Sequence, residues 1–390
     1  MSILERYPSA MMNAFGTPKL APVKGTGCVV EDENGKQYLD FLAGIAVNSL
    51  GHAHPKLVAA ITEQLQTLGH VSNFFATEPQ VRLAEKLGEL LGEPAKVFFT
   101  NSGAESNEAA FKITRLSGRT KIIALEGSFH GRTMGTLALT HTLKYREPFE
   151  PLPGEIVFIP PEIDALEAAV DEQTAAVVLE VIQGENGVLE IDPEFIRRAH
   201  ELTTSLGALL WIDEVQTGMG RCGAWFAHQS LGVQPDLVTV AKGLGGGFPV
   251  GACLAVGKAA ELFTPGLHGS TFGGNPVAAA AGLAVIDTIE SDDLLNGVVE
   301  LGDYLSQRVL GLGNPLVASV SGRGLLRGIQ LTEDVSTAAT DALLQRGFIV
   351  NAPRPSTIRV APPLIVSTEQ LDSFVSALDE VLTEIGATRE

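Results

Sequence analysis

Lys242 closes an apolar run at residues 236–241 (DLVTVA) and is followed by the glycine-rich stretch Gly243-Leu244-Gly245-Gly246-Gly247-Phe248-Pro249-Val250-Gly251. An amine held there is shielded from water, and burial pulls an ammonium below its free value of about 10.4. A neutral amine of this kind forms imines with aldehydes. Asp213 ends a second apolar run, residues 208–212 (ALLWI), and opens Asp213-Glu214-Val215-Gln216-Thr217-Gly218. A carboxylate at such a position keeps its charge only beside a cation, so a positively charged partner is expected.

Three further apolar runs end in polar groups. Residues 96–100 (KVFFT) lead into Asn101-Ser102-Gly103-Ala104-Glu105 and then a helical pattern. Ser102 with Glu105 spells a capping box, which makes this either an ordinary capped helix or an anion site at a helix N-terminus. Residues 121–125 (KIIAL) lead into Glu126-Gly127-Ser128-Phe129-His130-Gly131-Arg132-Thr133. That stretch is either a surface loop or an aromatic face for a flat ligand beside a guanidinium for a carboxylate. Residues 175–182 (AAVVLEVI) lead into Gln183-Gly184-Glu185-Asn186-Gly187, where Glu185 reads as a base, an arginine partner or a turn residue. Other motifs fail. The glycine cluster after Lys242 precedes another strand instead of a helix, which excludes a dinucleotide fingerprint, and the Walker spacing is missed by one residue. His200-Glu201 lacks a second histidine and His52-Ala53-His54 lacks further ligands, so no metal is expected.

These runs together with 251–256 (GACLAV) are the continuous apolar strands of a mainly parallel sheet covered by helices on both faces. Such α/β sheets bind ligands at the carboxyl ends of their strands, where the polar groups above fall. Helical periodicity follows Pro55 (Leu57, Val58, Ile61, Leu65, Leu68) and Ser367 (Leu371, Phe374, Val375, Leu378, Val381, Leu382, Ile385), with Gly386 as the expected stop. Both stripes are expected to face a core. The predicted division is an N-terminal arm at 1–49, a large ligand-binding domain at 50–285 and a smaller α+β domain at 286–390.

The chain of 390 residues is 45% hydrophobic and carries a net charge of −19, which excludes a disordered chain and disfavours nucleic acid and anionic membranes as partners. Three scattered cysteines make no disulfide framework, no apolar run approaches a membrane span, and the first residues lack a signal-peptide pattern. A cytoplasmic enzyme is the expectation.

One cofactor uses all of these groups together. Pyridoxal 5′-phosphate takes a lysine for its aldehyde, a carboxylate for its ring nitrogen, a helix N-terminus for its phosphate and an aromatic on its ring face. Its protonated ring is the cation that Asp213 lacks. The chain resembles the class III aminotransferases of fold type I, in NSGAESNEAAFK (101–112), FHGRT (129–133), LEVIQGENG (179–187), IDEVQTGMGR (212–221), AKGLGGGFPVGA (241–252), HGSTFGGNP (268–276) and IRVAPPL (358–364).

That resemblance implies Lys242 as the cofactor-bearing lysine and Asp213 as the ring-nitrogen partner. It implies Gln216 on the ring hydroxyl, Ser102, Gly103 and Ala104 at the phosphate, and Phe129 against the ring, with Glu214 and Val215 beside Asp213. Arg132 would take the donor's carboxylate and Arg359 the α-carboxylate of glutamate or 2-oxoglutarate. Glu185 would pair with Arg359 until the dicarboxylate arrives. Thr271 would reach the phosphate of a neighbouring subunit in a homodimer, with Ser270 lining the substrate pocket. The implied reaction moves the δ-amine of N-acetylornithine to 2-oxoglutarate by a ping-pong route in arginine biosynthesis. Succinylornithine, N-succinyl-diaminopimelate, ornithine, lysine and 4-aminobutyrate are alternative partners, and a mutase or racemase on the same fold, or a non-catalytic binding protein, is a more distant reading. Two departures stand out: Val181 replaces a common proline, and Phe15 replaces a tyrosine of ornithine aminotransferases, which favours a donor with an acylated α-nitrogen.

Overall fold

The computed structural model describes residues 1–387. The apolar runs form one seven-stranded sheet in the spatial order Ala95–Thr100, Gly251–Val256, Leu237–Val240, Leu209–Asp213, Thr174–Leu179, Lys121–Leu125, Glu155–Ile159. All strands run parallel except Gly251–Val256, which is antiparallel to both neighbours. Alternate residues feed two cores. Ile123, Val177, Leu210 and Ile212 pack with Phe195 and Ile196 on one face, while Ile122, Val178 and Trp211 pack with Ala109 and Ile113 on the other. This two-sided burial is why the runs are continuously apolar instead of alternating.

Two strands differ from the reading of the sequence. Glu155–Ile159 was not expected; it is an edge strand with Ile159 buried and Glu155 exposed, and the prolines around it mask its pattern. The run 175–182 does not continue as one strand. It stops at Leu179, and Ile182–Gln183 turns away to pair with Leu189–Glu190.

A second, antiparallel sheet orders Val317–Arg323, Leu326–Leu331, Thr357–Val360 and Asn351–Arg354. The N-terminal strands Pro22–Thr26, Val29–Asp32 and Gln37–Asp40 form a third, completed by Phe348–Ile349 lying parallel to Gln37–Asp40. Phe41 meets Phe374 at 5.1 Å and Phe348 at 6.2 Å, so both ends of the chain share a core. The final helix, Thr368–Ala387, opens on a capping box, with Ser367 Oγ accepting from Gln370 N at 3.3 Å and Gln370 Oε1 from Ser367 N at 3.1 Å. It runs on through Gly386, where a stop was expected. The helix Pro55–Thr67 buries Leu57 but leaves Val58 and Leu65 exposed, so only part of its apolar stripe faces a core within the chain. Among the described residues no helix is long and apolar enough to cross a membrane.

Candidate active site

A cavity of about 440 Å³ opens at the carboxyl ends of the parallel strands. Ser102, Gly103 and Ala104 form one wall, Phe129 and Arg132 a second, and Asp213, Val215, Gln216 and Lys242 complete it. A wider groove of about 860 Å³ runs along the helix Glu78–Leu91 and the strand Ala95–Thr100, but its lining brings together no comparable reactive groups.

Lys242 opens the turn Lys242–Gly245 one residue after the Leu237–Val240 strand, with a φ of 39°, unusual for a side-chain-bearing residue. Its amine makes no hydrogen bond or ion pair among the described residues. Burial, reinforced by the Arg359 guanidinium, holds its ammonium below the ordinary lysine range.

Asp213 is 4% exposed and fully occupied on its inner side. Its Oδ2 accepts from Asn107 Nδ2 and from His130 Nδ1, both at 2.7 Å, and its Oδ1 accepts from Val215 N at 2.9 Å. Burial works against a charged His130, but the hydrogen bond and charge of Asp213 outweigh it and raise the imidazole pKa. Asn107 also donates to the His130 carbonyl at 2.7 Å, fixing the ring from behind.

Ser102 caps the helix Gly103–Arg115, its Oγ accepting from Glu105 N at 3.1 Å. The expected reciprocal bond is replaced: the Glu105 carboxylate takes the Asn101 backbone and side-chain N–H groups at 2.7 and 2.8 Å. The first-turn amides of Gly103 and Ala104 have no helical acceptor and border the cavity, an anion-binding arrangement. A Cβ on Gly103 would lie 2.6 Å from Val215 Cγ1, so only glycine lets this helix end close on the floor.

Arg359, on the Thr357–Val360 strand of the second sheet, is 1% exposed. Its Nη1 donates to Glu185 Oε1 at 2.6 Å and to Gln216 Oε1 at 3.2 Å, and its Nε to Asn351 Oδ1 at 3.0 Å. Gln216 thus links the pair to the cavity. Arg132 lies over Tyr145, its Cζ 3.4 Å from the ring centroid.

Other singled-out residues are elsewhere. Glu214 turns away from the cavity: its Oε1 accepts from the backbone N of His228 at 2.9 Å and meets His228 Nδ1 at 2.8 Å, and its Oε2 accepts from Thr217. Burial alone would raise its pKa, but His228 and Thr217 bring it below the usual carboxylate range. Ser270 Oγ accepts from Gly273 N at 2.9 Å, Thr271 is exposed, and neither lines this cavity. Phe15 is 90% exposed.

Two residues escaped sequence reasoning. Asn107 shares a helix face with Gly103, one turn on. Glu180 interrupts the apolar run 175–182, the signal by which a buried acid could have been found. It is 5% exposed and accepts from Phe129 N at 3.0 Å. Burial, with the Asp213 charge, pushes its pKa up to about 7 against the pull of His130 and Lys242.

The groups present fit a phosphate-bearing heteroaromatic aldehyde. An unpaired amine on a half-buried lysine, a rigidly held carboxylate and a glycine-lined helix N-terminus face one space. Among the described residues no cluster of three or more His, Cys, Asp or Glu is placed to hold a metal.

Comparison with known proteins agrees. The family model described as aminotransferase class III matches residues 11–382. The chain is 56% identical over 383 residues to the acetylornithine aminotransferase of Mycolicibacterium smegmatis, covering 98% of each. It is 52% identical over 388 residues to that of Streptomyces coelicolor, covering 99% of this chain and 96% of the relative. Among solved structures it is similar to N-acetylornithine aminotransferase from Stenotrophomonas maltophilia, with a TM-score of 0.84, 34% identity, and coverage of 96% of this chain and 99% of that one. It is also similar to ornithine aminotransferase from Toxoplasma gondii, with a TM-score of 0.93, 29% identity, and coverage of 98% and 94%. With its motifs at the strand ends and the match running almost end to end, the chain belongs to the class III aminotransferases.

Proposed function

We propose that the chain transfers the δ-amino group of N2-acetyl-L-ornithine to 2-oxoglutarate, giving N-acetylglutamate 5-semialdehyde and glutamate, as a cytoplasmic step of arginine biosynthesis. Class III aminotransferases depend on pyridoxal 5′-phosphate. When bound, it supplies an aldehyde for the amine and a ring that draws off the electrons left when a proton leaves the substrate carbon. The observation that carries the reading is the Arg359–Glu185 pair, 2.6 Å apart and linked through Gln216 to the cavity that holds Lys242.

Lys242 Nζ would hold the cofactor through its aldehyde, and as a neutral amine would take and return the proton at the reacting carbon, for which its lowered pKa suits it. Asp213, fixed by His130 and Asn107, would keep the cofactor's ring nitrogen protonated. The amides of Gly103 and Ala104, with Ser102, would receive the phosphate, Phe129 and Val215 would line the space for its ring, and Gln216 would bond its hydroxyl. Arg132 takes the donor carboxylate. Glu185 neutralises Arg359 while the donor's ω-end is presented, then yields it to the α-carboxylate of the acceptor. One site thereby serves two substrates whose reacting amines lie at opposite ends.

The proposed assembly is a homodimer in which Thr271 reaches the partner's phosphate site and Ser270 its substrate pocket. Phe272, at 58% exposure, and Phe74 and Phe75, at 91% and 66%, support it as apolar surface beside Thr271 and Asn73, whose side chain holds the Ser270 carbonyl at 2.9 Å. The test is a donor profile with 2-oxoglutarate as acceptor. N-acetylornithine is expected to have the highest kcat/KM; preference for free ornithine or 4-aminobutyrate would overturn the donor assignment.

A further inference from the structure

Arg132 is exposed and makes no ion pair among the described residues, in a chain with 46 carboxylates against 27 lysines and arginines. It is nonetheless held on three sides. Behind it, Glu108 Oε1 accepts from Thr133 Oγ1 at 2.5 Å and from Gly135 N at 2.9 Å, clamping the backbone just after Arg132. Before it, Asn107 holds the His130 carbonyl. At its tip, the guanidinium Cζ sits 3.4 Å from the Tyr145 ring centroid, a separation only a face-on stack gives, and 5.5 Å from that of Phe129. Tyr145 lies on the short helix Leu143–Arg146 and does not border the cavity.

We propose that Tyr145 is the positioning residue that fixes the Arg132 guanidinium as a carboxylate clamp, and so selects donors bearing a carboxylate at the end remote from the reacting amine. Resting on the functional reading above, the inference adds the group that aims Arg132. An unsupported arginine samples many rotamers, and a flat aromatic bed removes most of that freedom while leaving the N–H edge free for a bidentate pair. The backbone straps fix where the side chain starts; Tyr145, the nearer of the two rings at its far end, fixes where that end lies.

The test compares holoenzyme variants on two donors that differ only by the carboxylate, N-acetylornithine and N-acetylputrescine. Tyr145→Leu is expected to raise KM for N-acetylornithine roughly three- to thirtyfold, the worth of a cation–π contact, with kcat retained. Its kcat/KM for N-acetylputrescine should not change. Tyr145→Phe should behave as the parent enzyme, and in an Arg132→Lys background Tyr145→Leu should have no further effect. Equal losses on both donors, no loss on either, or a Tyr145→Phe as impaired as Tyr145→Leu would overturn the proposal. Tyr145→Gln carries the same expectation if the leucine variant does not fold, and unfolding of both, seen by circular dichroism, would make Tyr145 a structural residue and end the idea. If the parent enzyme itself rejects N-acetylornithine, the donor assignment fails separately, and ornithine against putrescine poses the same question of Tyr145.

Discussion

At Lys242 burial and the Arg359 charge favour the neutral amine, while Glu185, Asp213 and Glu180 oppose them. Replacing Lys242 by alanine should therefore remove both the cofactor's attachment and the base, with turnover falling by at least about 10²–10⁴-fold in a steady-state assay. Retained activity would refute the role. Arg359→Ala should raise KM roughly ten- to a hundredfold for 2-oxoglutarate, since hydrogen bonds to charged groups are worth about 1.5–3 kcal/mol, and much less for the donor. Equal effects in the two half-reactions would count against the exchange with Glu185. Lys242 and Asp213 were legible because each ends an apolar run, where a charge is conspicuous. Glu180 was not, since it stands inside a run that reads as continuous strand. Asn107 was hidden because it stands among Glu105, Ser106 and Glu108, and such a polar stretch on a helix ordinarily faces water.

At the scale of elements, the helix Gly103–Arg115 and the loop at Val215 meet through a glycine. Gly103→Ala should destabilise the apoprotein by about 1–3 kcal/mol, the usual cost of overpacking, and loosen cofactor binding. Adding Val215→Ala should restore much of both, as read by denaturant unfolding and cofactor titration; no recovery would mean that the close approach is not the cause. The six strands expected from sequence all lie in the sheet, since two-sided burial leaves an apolar signature that composition alone carries. The edge strand Glu155–Ile159 carries the same signature in Ile156, Val157, Phe158 and Ile159, but Pro151, Pro153, Pro160 and Pro161 crowd it and make it read as loop. The apolar stripe after Pro55 was misjudged for a different reason: periodicity reveals an apolar face without saying whether the same chain covers it.

For the whole molecule, protonation and assembly give the tests. Glu180 has a folded pKa of about 7 against an ordinary 4.5, so the folded apoprotein binds more protons than the unfolded chain between those values. Its contribution is fully present below about pH 4.5 and lost as pH rises through about 7. Thermal melts of the parent should fall relative to Glu180→Gln across that window, and parallel curves would sink the argument. Assembly can be tested by complementation. If Thr271 serves the partner's site, mixing Lys242→Ala with Thr271→Ala subunits should regenerate sites with both residues intact, and activity should exceed that of either variant alone. We propose the division 1–49, 50–285 and 286–390 for the chain, although the core joining Leu57 and Val285 to Phe374 packs across those borders.

The strand Gly251–Val256 runs against its neighbours, and this has a mechanical result. Five of the parallel strands are followed by connections that leave the sheet edge and can absorb slack in length. The peptide carrying Lys242 has far less reserve: it departs from Val240, which pairs with Ala252 on the adjoining strand, so residues 241–250 leave and return at the same rim. A single residue inserted between Val240 and Lys242 would shift the amine itself, whereas an equal insertion in a long crossover would disappear into the loop.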